Sequence, residues 1–136
     1  MKMWFTRAAA LAAAVTLVTV LGAGAADNPD IETIMKKVNA KKGGLHAALM
    51  SDLKAGTVDW DAASKKSKEY YDLVSSLGKN DPPKGDKKSW EKLTKDYTDN
   101  AKALADACGK KDKSGATGAL GKISNSCMTC HRAHRG

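Results

Sequence analysis

Residues 86–109, DKKSWEKLTKDYTDNAKALADACG, carry the clearest structural pattern in the chain. Asp86 is a residue type that caps helix N-termini, and Gly109 is the type that follows helix ends. Between them, apolar or small side chains recur every three or four residues, as on one face of a helix. These side chains are Trp90, Leu93, Tyr97, Ala101, Leu104 and Cys108. The stretch predicts one amphipathic helix with a single buried face.

Three further segments have the same periodicity, and their start and stop residues place them at 28–56, 59–78 and 114–136. Asn28 and Pro29 give the first a helix-start signal, and Ser114 is the predicted cap of the last. The pair Gly43-Gly44 interrupts the first segment, which is therefore one kinked helix or two shorter ones. Four helices of about 20 residues with short connections predict an all-α, antiparallel four-helix bundle.

Other fold and function classes receive no support from the sequence. No segment has the period of a strand, and there is no Gly-rich phosphate loop. No combination of Ser, His and Asp suggests nucleophilic catalysis, so we do not expect an enzyme.

Residues 1–26 have the composition of a secretory signal peptide. Lys2 and Arg7 precede an apolar run of about 14 residues, which is shorter than the roughly 20 that a membrane-spanning helix needs. Ala23-Gly24-Ala25 is a small-residue cleavage pattern, so we expect cleavage after Ala25 or Ala26. The expected mature domain is 27–136, an exported, periplasmic protein with no membrane span.

The mature domain has too few large apolar residues for an ordinary core. Leu, Ile, Val and Phe make up 14 of its 110 residues, a low share for a folded chain. Because its helical periodicity argues against disorder, we expect a large apolar cofactor to fill the interior. With 21 basic and 15 acidic side chains the domain is cationic. Its scattered lysines suit an acidic redox partner better than nucleic acid.

The motif that indicates the cofactor is Cys127-Met128-Thr129-Cys130-His131, the C-x-x-C-H of c-type haem attachment. Residues three apart lie on one helix face, so Cys127 and Cys130 can form thioethers to one haem while His131 reaches its iron. A zinc site needs four ligands, and only Cys108, His46 and His134 remain to complete one. A thioredoxin-like dithiol sits at a helix start in a βαβ pattern, which is absent.

With this motif near its C-terminus, the mature chain resembles the class II c-type cytochromes, the family of cytochrome c′ and cytochrome c-556. Arg135 occupies the family's basic position four residues after His131, whereas His134 stands where Tyr or Phe is usual. The resemblance implies a four-helix bundle with one covalent haem c, His131 as proximal ligand, and a distal face built by the first helix. It also implies haem attachment in the periplasm.

The first helix decides between two functions in that family. A Met there can bind the iron and give an electron carrier, whereas an apolar residue leaves a five-coordinate site for NO or CO. Met35 lies on the apolar stripe and is the expected distal ligand. His46 is the rival, about 16 Å further along an unbroken helix, and Met50 lies off the centre of the stripe.

Several other residues have an expected place around the haem. We expect His134 to pack against the porphyrin edge or a propionate, and Arg135 or Arg132 to pair with propionates or to remain solvated. Cys108 is left as an odd thiol, either buried or in an intermolecular disulfide. Four aromatic residues are expected in the core and haem pocket: Trp60, Trp90, Tyr70 and Tyr97. The sequence thus predicts a periplasmic monohaem electron carrier, with homodimerisation possible.

Overall fold

The computed structural model describes residues 28–136, so the predicted signal peptide at 1–26 lies outside the described part of the chain. The described part is all-helical, with five α-helices and no strand. The helices are α1 (Ile31–Asn39), α2 (Leu45–Lys54), α3 (Trp60–Ser75), α4 (Lys87–Gly109) and α5 (Lys113–His134), with a 3-10 turn at Leu77–Lys79.

The first predicted helix is two helices, α1 and α2, separated at Gly43-Gly44. Gly43 has a φ of 76°, a left-handed conformation that glycine adopts without steric penalty. A Cβ on Gly44 would collide with the backbone oxygen and nitrogen of Ala40, so only glycine fits there. The two glycines therefore end the first helix and let α2 begin at Leu45.

Two of the predicted cap residues were wrong by two positions. Asp30, not Asn28, caps α1, because its carboxylate accepts the backbone N–H of Thr33 at 2.6 Å. Asp112, not Ser114, caps α5 by accepting the N–H of Gly115 at 2.9 Å. In both places an aspartate and a second suitable residue lie two positions apart, and propensity alone does not choose between them. The predicted caps Asp59 and Asp86 are confirmed.

Contacts between helices show an antiparallel bundle. Tyr70 and Tyr97 meet near the middle of α3 and α4, while the indole N–H of Trp90 near the start of α4 donates to the carbonyl of Asn80, beyond the end of α3. Trp90 also packs edge-on against His134 at the end of α5, with ring centroids 5.4 Å apart. Each of these helices therefore runs opposite to its neighbour.

The arm made by α1 and α2 runs opposite to α3 as well. Lys66 of α3 pairs with Asp52 near the end of α2 at 2.6 Å, and the Asn80 amide donates to the carbonyl of Pro29 just before α1. The described chain is thus a helical bundle in which α1 and α2 together form one arm and α3, α4 and α5 form the others.

The core follows the predicted stripes, and at one end of the bundle it consists of small and medium-sized side chains. There the end of α4 meets the start of α5, and we call this region the closed end. Its buried residues are small or medium in size: Leu53, Ala63, Ser67, Leu104, Ala107, Cys108, Ala116 and Ala119. Alanines let the helices approach closely, so this end can close with few large side chains.

Candidate functional site

The opposite end of the bundle, which we call the cavity end, contains a cavity of about 870 Å³. Cavities that hold small ligands in proteins span roughly 300–1,000 Å³ and are mainly apolar. The apolar and aromatic part of this wall comes from α1, the 3-10 turn and α4: Ile31, Met35, Leu77, Trp90, Leu93 and Tyr97. The poor core predicted from composition thus takes the form of one large internal space.

The last two turns of α5 supply the sulfur and imidazole groups of the cavity. Cys127, Cys130 and His131 all line it, and all three are half-buried. The Sγ of Cys127 donates to the carbonyl of Ile123 at 3.2 Å, as a thiol in a helix often does. Met128, between the two cysteines, is 56% exposed and faces away from the bundle. The C-x-x-C-H motif therefore presents its three chemically useful side chains to one space.

Both cysteines of the motif are protonated at neutral pH. Burial raises the pKa of Cys127, and burial together with Cys127 raises that of Cys130. They also lie near the C-terminus of α5, where the helix dipole disfavours a thiolate. A redox-active dithiol requires the opposite, a lowered pKa. Among residues 28–136, no group of three or more His, Cys, Asp or Glu side chains is placed to hold a metal ion.

Met35 lies in the wall that α1 contributes, and it is half-buried. Its sulfur accepts a hydrogen bond from the side-chain amide of Asn39, one helical turn on, at 3.3 Å. Asn39 lines the cavity too, a role that the sequence reasoning missed although the spacing of four residues from Met35 could have indicated it. Met50, at 37% exposed, is not among the residues that line the cavity.

His46 does not line the cavity with Met35, Cys127, Cys130 and His131. It is half-buried on α2, where Nε2 lies 2.9 Å from Oγ of Ser124 and Nδ1 lies 3.3 Å from the hydroxyl of Tyr70. Both ring nitrogens therefore have protein partners. The break at Gly43-Gly44 separates α2 from α1, so the unbroken helix assumed for His46 does not exist.

His134 ties the last turn of α5 to the loop before α4. Its Nδ1 donates to the carbonyl of Lys84 at 2.9 Å, and its Nε2 lies 3.1 Å from Oγ of Ser89. The ring is only 2% exposed and packs on Trp90. Although it contributes to the cavity wall, its two nitrogens are used by the protein, so its polar atoms have a structural role that the sequence did not indicate.

Some of the remaining predicted residues line the cavity, and others do not. Arg135 lines the cavity and Arg132, exposed, does not. Of the four aromatic residues, Trp90 and Tyr97 line it, while Tyr70 and Trp60 pack in or against the core. Cys108 is a free, buried thiol at the closed end, where burial raises its pKa. The buried alternative for Cys108 is the one that the structure contains.

Pro83, in the loop before α4, also lines the cavity. No sequence signal placed this loop there, since its contact with α5 depends on tertiary packing.

Within residues 28–136, none of the helices combines the length and apolar character that spanning a membrane requires.

Comparison with known proteins gives no relative for this chain: no family model, no curated protein and no solved structure matches it.

Proposed function

We propose that this chain is a periplasmic monohaem c-type cytochrome that carries single electrons, a four-helix-bundle protein of the class II kind. The observation that carries the proposal is the cavity of about 870 Å³, into which the C-x-x-C-H motif places Cys127, Cys130 and His131. The motif and the cavity are independent features, because a chance motif has no reason to face a large, mainly apolar cavity.

The donor set fits haem c better than it fits a metal ion or a dithiol. Two neutral thiols three residues apart on α5 can form thioethers, and the imidazole of His131 can bind iron. Met35, from a different helix, adds a thioether ligand in the same cavity, and Arg135 adds a cation for a propionate. When bound, haem would supply a one-electron iron couple.

The chain's own residues would set the properties of that couple. Ligation by His131 and Met35 is an arrangement that raises the reduction potential. The apolar wall, with Leu93 and Trp90, excludes water and limits solvation of the charged state. The amide of Asn39 holds the sulfur of Met35 in place, and the contacts of His134 fix the turn of α5 that carries His131.

The lysine-rich exterior supports an acidic redox partner as the physiological contact. Most of the ion pairs in the described chain join a lysine to an acidic residue one turn away and are well exposed, as in Lys92 with Asp96. Such pairs contribute little to stability, and they keep the surface solvated. The exterior is cationic on balance because the mature domain has 21 basic and 15 acidic side chains.

The absorption spectrum of the protein, matured in cells that attach haem c, tests the proposal. We expect low-spin bands that do not change when carbon monoxide is added. Met35→Ala should give a high-spin iron, a lower potential and a new carbon monoxide complex. The matched control Met50→Ala, a methionine outside the cavity wall, should leave the spectrum unchanged.

Two outcomes would replace parts of the proposal. High-spin bands that shift with carbon monoxide in the unmodified protein would identify a five-coordinate binder of NO or CO. A spin change in His46→Ala but not in Met35→Ala would identify bis-histidine ligation. An absence of haem bands in properly matured protein would reject the cytochrome itself.

A further inference from the structure

Four side chains from four helices connect the cavity to the protein surface through hydrogen bonds. Tyr97 of α4 lines the cavity, and its hydroxyl lies 2.8 Å from that of Tyr70 on α3. The Tyr70 hydroxyl lies 3.3 Å from Nδ1 of His46 on α2, whose Nε2 lies 2.9 Å from Oγ of Ser124 on α5. We call this set, Tyr97, Tyr70, His46 and Ser124, the relay.

Exposure increases from Tyr70 outwards along the relay, and Tyr97, at the cavity, is half-buried. Tyr70 is fully buried, His46 is half-buried and Ser124 is exposed. The Tyr70 hydroxyl bonds to Tyr97 and His46, and the Tyr97 hydroxyl also meets the side chain of Asn39. The outer members of the relay, His46 and Ser124, can exchange protons with water. Buried polar groups linked in this way respond to each other strongly because the surrounding dielectric is low.

The hydrogen positions in the relay follow from its partners when His46 is neutral. Oγ of Ser124 lies 3.1 Å from the carbonyl of Leu120, to which it can donate, so it can accept from Nε2–H of His46. Nδ1 then accepts from the Tyr70 hydroxyl, which in turn accepts from that of Tyr97. In this state the Tyr97 hydrogen points away from the cavity.

Protonation of His46 reverses that direction. Both ring nitrogens of an imidazolium are donors, so Nδ1 donates to the Tyr70 oxygen. The Tyr70 hydrogen must then turn to the Tyr97 oxygen, and the Tyr97 hydrogen turns towards the cavity. A proton gained near the surface thus becomes a hydrogen-bond donor at the cavity wall.

We propose that the relay couples electron uptake in the cavity to proton uptake at His46. This inference rests on the proposed function: one electron arrives from a one-electron donor protein, and one proton from solvent bonds to Nδ1 of His46. The total charge of the molecule is then unchanged, and no other bond is made or broken. The Tyr97 hydrogen directed into the cavity stabilises the added electron.

The groups that face His46 suit this role. Tyr70 faces it from α3 and the uncharged Ser124 from α5; burial lowers the pKa of His46, so it is neutral at pH 7 and gains a proton below its ordinary value of 6.5. Burial, aided by neighbours that include Cys127 of α5, raises the pKa of Tyr70, and burial raises that of Tyr97 to about 12. Both tyrosines stay neutral, and their hydroxyl hydrogens change direction when His46 gains or loses its proton.

A histidine NMR titration of the protein matured in cells that attach haem c tests the relay at His46, a residue that does not line the cavity. Tyr97→Phe removes the acceptor that the Tyr70 hydrogen needs when His46 is charged, so we expect the pKa of His46 to fall although Tyr97 does not contact it. Tyr71→Phe, one residue beside Tyr70 but outside the relay, is the matched control and should leave that pKa unchanged. An unchanged His46 pKa in Tyr97→Phe would overturn the relay.

The reduction potential of the haem-loaded protein, recorded against pH, tests the coupling. Below about pH 6.5 we expect the potential to rise as pH falls, by up to about 59 mV for each tenfold increase in proton concentration. His46→Gln and Tyr70→Phe should each remove this slope, whereas Tyr71→Phe should keep it. A slope equal to that of the unmodified protein in both relay variants, or no slope in the unmodified protein, would overturn the proposal.

Failure of the inference is distinguishable from failure of the proposed function. If the mature chain carries no covalent haem, the proposed function fails and the coupling fails with it. If haem is present and the potential ignores His46, only the coupling fails.

Discussion

The two ends of the bundle solve the problem of a chain with few large apolar residues in different ways. The closed end brings α4 and α5 together over small buried residues such as Ala107 and Ala116. The cavity end, built by α1, the start of α4 and the end of α5, keeps about 870 Å³ open. The closed end is filled by protein side chains, whereas the cavity end has a large space lined by two thiols and an imidazole.

The largest effect should come from removing the attachment groups. In the double variant Cys127→Ala, Cys130→Ala we expect no covalent haem and a largely unfolded or molten chain, because the empty cavity end buries too little apolar surface to offset chain entropy. Circular dichroism and thermal unfolding measure this. Cys108→Ala, at the closed end, is the control and should retain haem; a double variant that unfolds cooperatively without haem would show that the bundle does not need its cofactor.

A leucine at each end of the bundle should separate effects on stability from effects on the absorption spectrum. Leu104, fully buried at the closed end, should cost about 2–5 kcal/mol of unfolding free energy when changed to Ala, without altering the absorption bands. Leu93→Ala, in the cavity wall, should shift those bands. Denaturant unfolding and absorption spectra of both variants test this. A spectral change in Leu104→Ala but not in Leu93→Ala would show that the haem lies at the closed end, against this account.

Gly85 tests how tightly the cavity end is held by its loop. Gly85 and Gly43 have φ values of 85° and 76°, so alanine at either should cost about 1–2 kcal/mol for the left-handed backbone. A Cβ at Gly85 would also lie 2.6 Å from the Ala133 carbonyl and 2.9 Å from Nδ1 of His134, whereas the corresponding position at Gly43 is open. We therefore expect Gly85→Ala to be clearly the more destabilising in thermal unfolding, and equal losses would argue against the contact between this loop and α5.

Alkaline pH should weaken the fold through Tyr97. Its pKa is about 12 in the folded chain against 10 for an exposed tyrosine, so above pH 10 the unfolded chain releases a proton that the folded chain keeps. The free energy of unfolding then falls as pH rises from 10 to 12, by on the order of 1–3 kcal/mol from this group. Tyr97→Phe should lose less stability over that interval than Tyr71→Phe in urea unfolding at each pH; parallel curves would contradict this reading.

The smallest effect is expected at the exposed ion pairs. Lys92 and Asp96 are paired at 2.7 Å with side chains 75% and 51% exposed. Lys92→Ala should change the unfolding free energy by less than about 0.5 kcal/mol, since solvent screens such pairs. The same substitution at Lys66, whose partner Asp52 lies on another helix and which is less exposed, should have the larger effect. Equal losses in denaturant unfolding would show that exposure does not decide the strength of these pairs.

The sequence predicted the helices and their buried faces well because that information is periodic and local. The stripe of Trp90, Ala101 and Leu104 is buried as expected. The pair Gly43-Gly44 indicated an interruption, but the choice between a kink and a break depends on the close approach of Gly44 to Ala40. The aspartates that cap α1 and α5 were missed because neighbouring residues have similar capping propensity.

The candidate site shows the same difference between local patterns, which the sequence predicted, and long-range contacts, which it did not. The motif at Cys127, Cys130 and His131 is contiguous, so it was visible in the sequence, and Met35 was reached through the resemblance. The bonds of His134 to Lys84 and Ser89, and the relay from Tyr97 to His46, join residues far apart in the chain. No local pattern encodes such contacts; they follow from how the helices pack.

The central claim is that the cavity end is built to hold one haem covalently through Cys127 and Cys130. Peptide-mapping mass spectrometry of the chain, purified from cells that mature c-type cytochromes, tests it most directly. The account predicts that the peptide containing 127–131 carries the mass of one haem and that Cys108 is unmodified. Two free thiols at Cys127 and Cys130 in properly matured protein, with no added mass, would contradict it.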